Sequence, residues 1–162
     1  MKSVLFLLLA FLSIGAHAQT TSSEQDACSA AGGTFMTGTI VSDPTFAYGS
    51  YRYGVELSHT HITVQSDMDS NNYDVAIDNV YASGYDSAGE SVPYPYTTLF
   101  SGGRVELCGL PYSSGYGMHW VHSNCGATPT TRAPDGWTKS LDSLGTPGSN
   151  LASNQEYCYL WQ

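Results

Sequence analysis

The stretch from Ser58 to Gln65 constrains the fold of this chain most strongly. Its polar and apolar side chains alternate, which places His59 and His61 on one face, and a period of two is the pattern of a β-strand. An Asp- and Asn-rich turn at 67–72 and a second alternating stretch at 73–81 follow it. The two stretches predict an antiparallel hairpin.

Short segments rich in β-branched and aromatic residues recur between turns along the rest of the chain. No amphipathic segment of helix length interrupts them. This spacing predicts an all-β or β-rich fold, a single antiparallel sandwich or barrel-like domain with long loops rich in Gly, Pro and Tyr. The sequence predicts strands at 34–41, 104–110 and 156–161, a strand or extended segment at 48–57, a strand or turn at 118–122, and a helix or strand at 137–144.

Residues 1–18 have the features of a secretory signal peptide. Lys2 is the basic flank, Val4 to Ile14 is an apolar run shorter than the about 20 residues that span a bilayer, and Ala16-His17-Ala18 is a small-x-small cleavage site. We therefore expect a secreted or periplasmic chain whose single domain comprises residues 19–162, with a polar, frayed start at 19–25. No membrane contact is expected after the signal is removed.

Four cysteines in a chain predicted to be exported indicate two disulfide bonds. Of the possible pairings, the sequence favours Cys108–Cys125, which closes the loop before a histidine-bearing stretch, and Cys28–Cys158, which ties the chain ends together. The close Cys-x-x-Cys pairs of a zinc module are lacking, so metal binding by thiolates is the weaker hypothesis.

The charge of the chain restricts its partners. The formal net charge is −9, from 5 basic and 14 acidic residues, and no basic stripe offsets it. Such a surface repels polyanions, so nucleic acid and anionic membranes are disfavoured. A small molecule, a glycan or a protein is then the expected class of partner.

Four of the five histidines form two closely spaced pairs, His59 with His61 and His119 with His122. The first pair shares one face of a strand, whereas the second pair shares a face only if the backbone turns there. If the pairs converge, the four imidazoles would bind a divalent transition metal such as zinc. A metal with one open position could activate water for hydrolysis.

The same rings also allow a metal-free site, since one imidazole can accept a proton while another donates one. In the metal-dependent version Asp78 or Asp74 is a candidate base or added ligand. The segment His61-Ile62-Thr63-Val64 resembles one motif of the 2H phosphoesterases, although His119 and His122 do not supply the second copy. Alternatively, each histidine is a polar strand residue with only local contacts.

These residues lead to two hypotheses about function. The first is an exported metal-dependent hydrolase, with phosphodiesters as the candidate substrates. The alternative is a non-enzymatic binding protein, either a carbohydrate binder or a toxin inhibitor. Its contact surface would come from aromatic residues in loops, which are Tyr94, Tyr96, Tyr112 and Tyr116.

The turn after the first histidine pair suggests a second kind of metal site. Asp67, Asp69 and Asn71 alternate as the oxygen ligands of calcium do. The flanking segments are predicted to be strands, however, and Asp and Asn also favour turn geometry. A plain hairpin loop therefore explains this turn better than calcium binding.

Four short motifs follow one another along the chain. They are Tyr-Gly-Val at 53–55, the histidine-bearing strand at 59–64, Tyr-Asp-Val-Ala-Ile-Asp at 73–78, and Gly-Met-His-Trp-Val-His-Ser-Asn at 117–124. In this order they resemble the YukJ-like proteins, an uncharacterised bacterial family. Asp135-Gly136-Trp137 also resembles a later Asn-Gly-x-Trp turn of that family.

The resemblance covers about Tyr53 to Leu141. It implies a β-rich fold without an established activity. It also singles out His61, His119, His122 and Asn124 as candidate catalytic residues. The signal peptide and the cysteines depart from the intracellular-looking members of the family.

Overall fold

The structure is a computed structural model that describes residues 15–162, with side chains from Ser22 onward. The core of the predicted signal peptide, residues 1–14, lies outside the described residues, so cleavage and export remain predictions. Gly15–Ala30 forms helix α1, and the predicted frayed start at 19–25 is wrong. Two contacts fix this helix, an ion pair of 2.6 Å from Glu24 to Lys139 and a disulfide from Cys28 to the sheet.

Seven β-strands follow α1. They are β1 (Thr34–Ile40), β2 (Thr45–Arg52), β3 (Val55–Ser66), β4 (Asn72–Asp78), β5 (Arg104–Pro111), β6 (Gly117–His119) and β7 (Trp137–Leu141). A short helix α2 (Tyr85–Ala88) and 3₁₀ turns at Asn79–Tyr81, Tyr96–Thr98 and Cys158–Trp161 lie in the connections. The β-rich prediction is confirmed.

Five of the strands close into a barrel. Strand β1 pairs with both β3 and β5, β4 pairs with β3, and β6 joins β4 to β5. Closure satisfies the strand edges within this ring. Strand β2 extends the sheet beside β3, and β7 extends it beside β5. The predicted barrel-like architecture is confirmed, but the β4–β6 pairing is parallel, so the sheet is mixed where the sequence predicted an antiparallel one.

Strand β3 shows how alternation positions the site. Thr60, Ile62 and Val64 point into the barrel and are buried, whereas His59 and His61 lie on the outer face and are half-buried. The barrel interior is filled from one face of each strand, so the histidines of β3 stay outside the core.

The structure corrects two of the strand predictions. The segment 48–57 contains a two-residue turn at Tyr53 and Gly54, both with positive φ, which divides it between β2 and β3. The segment predicted as a closing strand at 156–161 is instead a 3₁₀ turn, Cys158–Trp161. Its alternating aromatic residues resemble a strand, but local hydrogen bonds such as Leu160 N–H to the Tyr157 carbonyl satisfy its backbone.

The predicted disulfide pairing is wrong, although all four cysteines are paired. The bonds are Cys28–Cys108, between α1 and β5, and Cys125–Cys158, between the loop after β6 and the C-terminal turn. Helix α1 packs beside β1, and β1 pairs with β5, which brings Cys28 to Cys108. Two disulfides fit an oxidising extracellular or periplasmic environment. Within residues 15–162, no helix has the length and apolar character needed to cross a membrane.

Candidate functional site

The register of the β3–β4 hairpin places two His–Asp pairs on its outer face. His59 lies opposite Asp78, and its Nε2 is 2.6 Å from Asp78 Oδ1. His61 reaches diagonally to Asp74, with 2.8 Å between its Nδ1 and Asp74 Oδ1. A register shift of one residue would move these aspartates to the other face, so the pairing of the strands determines both contacts.

The backbone turns at Trp120 and brings the second histidine pair to the same region. Trp120 has a φ of 57°, in the left-handed region that residues other than glycine rarely adopt. The turn follows β6 directly, and both His119 and His122 line the same cavity. Strain of this kind is concentrated at functional sites.

Two glycines allow the turn to lie against the barrel. A Cβ atom at Gly109 would be 2.4 Å from the His119 carbonyl oxygen, and one at Gly136 would be 2.3 Å from the Trp120 carbonyl oxygen. Glycine is therefore required at both positions by the close approach of the backbones. Asp135-Gly136-Trp137, singled out in the sequence, thus lies against the histidine turn.

The cavity has a volume of about 670 Å³ and collects three of the four paired histidines. His59, His119 and His122 line it together with Asp78. His61 is not among the lining residues. Its ring centroid is 6.3 Å from that of His59, and its Asp74 partner also accepts a hydrogen bond from the Tyr112 hydroxyl at 3.0 Å.

Asp78 links two imidazoles through its two carboxylate oxygens. Oδ1 contacts His59, and Oδ2 lies 2.9 Å from the Nε2 of His122. The Nδ1 of His122 is 2.9 Å from the Ser123 carbonyl oxygen, so both of its ring nitrogens face acceptors. The buried His122 ring also stacks on Tyr81, at 3.8 Å between centroids. His122 is thereby fixed in place.

The surroundings shift the pKa values of the site residues in opposite directions. Burial alone would raise the pKa of Asp78, but hydrogen bonds from His122 and His59 outweigh it and hold that pKa well below its usual range. The hydrogen bond to Asp78 raises the pKa of His59 against the effect of burial. Burial lowers the pKa of His119, and this effect, together with the charges of His122 and His59, outweighs the Asp78 charge, which raises it. Two histidines whose pKa values are shifted in opposite directions are typical of a catalytic acid and its paired base.

His119 differs from the other histidines of the cavity because its side chain has no hydrogen-bond partner among the described residues. Its ring meets Tyr112 edge-on, at 5.5 Å between centroids. This contact orients the ring without occupying a ring nitrogen. His119 is therefore available to exchange a proton with a molecule in the cavity.

Asn124 lines the cavity, but its side chain is used within its own loop. Its Nδ2 donates to the Ala127 carbonyl at 3.0 Å, and its Oδ1 accepts from the Gly126 N–H at 3.0 Å. Its backbone N–H donates to Asp135. These contacts shape the cavity wall, and a catalytic role for Asn124 stays a prediction.

The site residues do not form a ready set of metal ligands. Among the side chains that the structure describes, from Ser22 onward, no group of three or more His, Cys, Asp or Glu residues is arranged to hold a metal ion. The Nε2 atoms of His59 and His122 are hydrogen-bonded to Asp78, so a transition metal would have to replace those bonds. The four-histidine metal site stays a prediction.

The residues of the predicted calcium site lie in a hairpin turn, and the carboxylates of this turn have protein partners. Asp67 forms a bidentate ion pair with Arg104. Asp69 accepts hydrogen bonds from Asn71 and from the Tyr73 hydroxyl. The turn joins β3 to β4, as predicted for a plain hairpin loop. The contacts of Asp67 and Asp69 with protein groups stabilise it.

The loop tyrosines lie in different surroundings. Tyr96 is fully buried, Tyr112 is half-buried, and Tyr94 and Tyr116 are exposed. Tyr116 packs against Tyr73, whereas Tyr94 lines a second, smaller cavity. Only Tyr96 of the four is fully buried, and the two exposed rings have different neighbours, so the binding-protein alternative stays a prediction.

Sequence reasoning missed the aromatic wall of the cavity. Tyr81, Trp120 and Trp161 line it, and Tyr81 stacks between His122 and Trp161. Tyr81 lies only three residues after the candidate site residue Asp78, and this closeness in the sequence was the signal that could have placed it at the cavity. Trp161 is brought to the cavity beside the Cys125–Cys158 bond, and nothing in the local sequence indicates this.

No family model matches this chain, and comparisons with curated proteins and with solved structures found no similar protein. The resemblance to the YukJ-like proteins therefore stays a prediction.

Proposed function

We propose that this protein is an exported hydrolase that uses general acid–base catalysis, with phosphodiesters as the candidate substrates. One observation carries the proposal. A single cavity contains His59, which is anchored by a carboxylate, and His119, whose ring nitrogens have no hydrogen-bond partner among the described residues. Their pKa values are shifted in opposite directions.

In the proposed step, neutral His119 accepts a proton from water as the water oxygen attacks phosphorus. The bond from phosphorus to the leaving oxygen breaks, and that oxygen takes a proton from the His59 imidazolium. Asp78 orients His59 and stabilises its charge, and His122 holds Asp78 in position. The two histidines then exchange a proton with solvent to restore their starting states.

Water is the proposed nucleophile because the cavity lacks an activated side chain. Cys125 lines it but is in a disulfide, and Ser50 has no histidine hydrogen bond in the described part of the chain. Export is supported by the signal-like residues 1–18 and by the two disulfides.

The test is hydrolysis of bis(4-nitrophenyl) phosphate by the purified protein in the presence of a chelator. We expect His119→Gln and His59→Gln each to lower kcat by about 100-fold or more, since a positioned acid or base contributes about 10²–10⁴-fold. His61→Gln is the matched control, because His61 lies on the same strand outside the cavity, and it should retain activity within a few-fold.

Two other results would replace this proposal. Activity that disappears with the chelator and returns with zinc would support the metal-dependent hydrolase predicted from the four histidines. Absence of hydrolysis of phosphodiesters and carboxylic esters by the folded protein would leave the binding-protein alternative.

A further inference from the structure

The described basic residues of this acidic protein are of two kinds, those that form an ion pair and those that do not. The described part of the chain contains Arg104, which pairs with Asp67, and Lys139, which lies between Glu24 and Glu106. It also contains Arg52 and Arg132, and neither forms an ion pair with any described residue. With a net charge of −9 on the chain, two unpaired cations form a distinct electrostatic feature.

One of these unpaired cations, Arg52, lies next to the wall of the cavity. The Arg52 guanidinium is 6.0 Å from the ring centroid of Trp161, which is a wall residue and 39% exposed. Ser50, on the same strand as Arg52, also lines the cavity. Arg132 precedes another wall residue, Ala133, in the sequence, and its side chain is exposed. The Arg52 guanidinium is thus the unpaired cation that lies beside the cavity.

The wall beside Arg52 is aromatic and apolar. It includes Trp161, Tyr81 and Trp120, with Leu57 from strand β3. Aromatic rings contact flat ligands by stacking or edge-on packing, and apolar walls bind the uncharged part of a ligand. An arginine next to such a wall can contact an anionic group at the same time.

We propose that the cavity binds a small anionic ester that carries a flat ring, a phosphodiester of nucleotide size, and that Arg52 recognises its negative charge. The ring packs against the aromatic wall, and the ester group reaches His59 and His119. This inference rests on the proposed function for the cleavage step, whereas the binding preference follows from Arg52 and the wall.

The volume of the cavity and the acidic surface around it favour a small anion as the ligand. A volume of about 670 Å³ lies in the usual range for small-molecule sites. A long polyanion would extend over the acidic remainder of the surface and be repelled there. A compact anion contacts only the cavity and the region around Arg52.

The first experiment compares two substrates with the same leaving group, bis(4-nitrophenyl) phosphate, which is anionic, and 4-nitrophenyl acetate, which is neutral. We expect Arg52→Gln to lower kcat/KM for the anionic substrate by about 10-fold and to change the neutral one by less than about twofold. Arg104→Gln removes the same charge at the distant Asp67 pair, and we expect it to leave both substrates within about twofold.

The second experiment measures binding without cleavage, by calorimetry with methyl phenylphosphonate and its neutral dimethyl ester. The anion should bind more tightly than the neutral ester, its affinity should fall with added salt, and Arg52→Gln should remove the preference. If this pattern holds without hydrolysis of either nitrophenyl ester, the binding inference stands and the proposed function fails. Equal binding of the two phosphonates, or equal losses in Arg52→Gln and Arg104→Gln, would overturn the inference.

Discussion

The acid–base proposal depends on the carboxylate of Asp78, because this group contacts both His59 and His122. In Asp78→Asn the charge is removed while the shape is kept. We expect kcat to fall by about 10³-fold or more, as happens when an aspartate that orients a catalytic histidine becomes asparagine. The pKa of His59 should also fall towards its ordinary value, which NMR titration of the ring would measure.

The matched control for this variant is Asp74→Asn. Asp74 forms the same kind of contact with His61, but neither residue lines the cavity. Its activity should stay within a few-fold of the wild type. Similar losses in Asp74→Asn and Asp78→Asn would mean that the cavity is not the site of the chemistry.

The pH dependence of kcat/KM is a second prediction at the residue scale. His119 must be neutral and its pKa is lowered below 6.5, so activity should rise with pH on a limb below 6.5. His59 must be protonated and its pKa is raised above 6.5, so activity should fall on a limb above 6.5. The expected profile is a bell whose plateau includes pH 6.5. A single limb that rises through pH 8 would contradict the assigned roles.

The residue-scale predictions from the sequence were strongest where contacts are local. Alternation in β3 placed His59 and His61 on one face, as the structure shows. The contact of His59 with Asp78 depends on the register of a hairpin, which the sequence did not determine. The contact of Asp78 with His122 joins residues 44 positions apart in the sequence, and alternation carries no information about it.

At the element scale, the turn after β6 depends on its close approach to the barrel. Gly136→Ala would place a Cβ atom 2.3 Å from the backbone carbonyl oxygens of Cys108 and Trp120. We expect this variant to lose about 1–3 kcal/mol of unfolding free energy in urea, since backbone atoms must move to make room. Activity should also fall, because Trp120 lies in the turn that bears His119 and His122.

Gly148→Ala is the control for this prediction. Its added Cβ atom would be 3.4 Å from the Ser140 carbonyl oxygen, which is an ordinary contact. Its stability should therefore stay near that of the wild type, and equal losses in the two variants would show that the close approach is not the cause.

The elements themselves were predictable wherever a strand has one buried face. The hairpin follows from the alternation of β3 and its flanking turn residues, whereas β5 is continuously buried from Val105 to Gly109 and shows no such alternation. The C-terminal turn, Cys158–Trp161, carries a similar pattern without pairing to a strand, so its alternation was misleading. The parallel β4–β6 pair joins short, distant segments, and no local pattern indicates it.

At the scale of the whole molecule, the two disulfides stabilise different parts. Cys28–Cys108 attaches α1 to β5, whereas Cys125–Cys158 attaches the turn that bears Trp161 to the cavity loop. The closed loops span 80 and 33 residues. Loop entropy then gives a stabilisation of about 4 kcal/mol for either bond, because this term depends only weakly on loop length.

Removing each disulfide should therefore have similar effects on stability and different effects on the site. We expect Cys125→Ala with Cys158→Ala to lower kcat/KM for bis(4-nitrophenyl) phosphate by about 10-fold or more below the melting transition, because the Trp161 wall loses its anchor. Cys28→Ala with Cys108→Ala should retain activity within a few-fold under the same conditions, since α1 supplies no cavity residue. Thermal unfolding and kinetics of both variants at one temperature provide the measurement. Equal losses of activity in two folded variants would mean that the C-terminal turn does not form part of the working site.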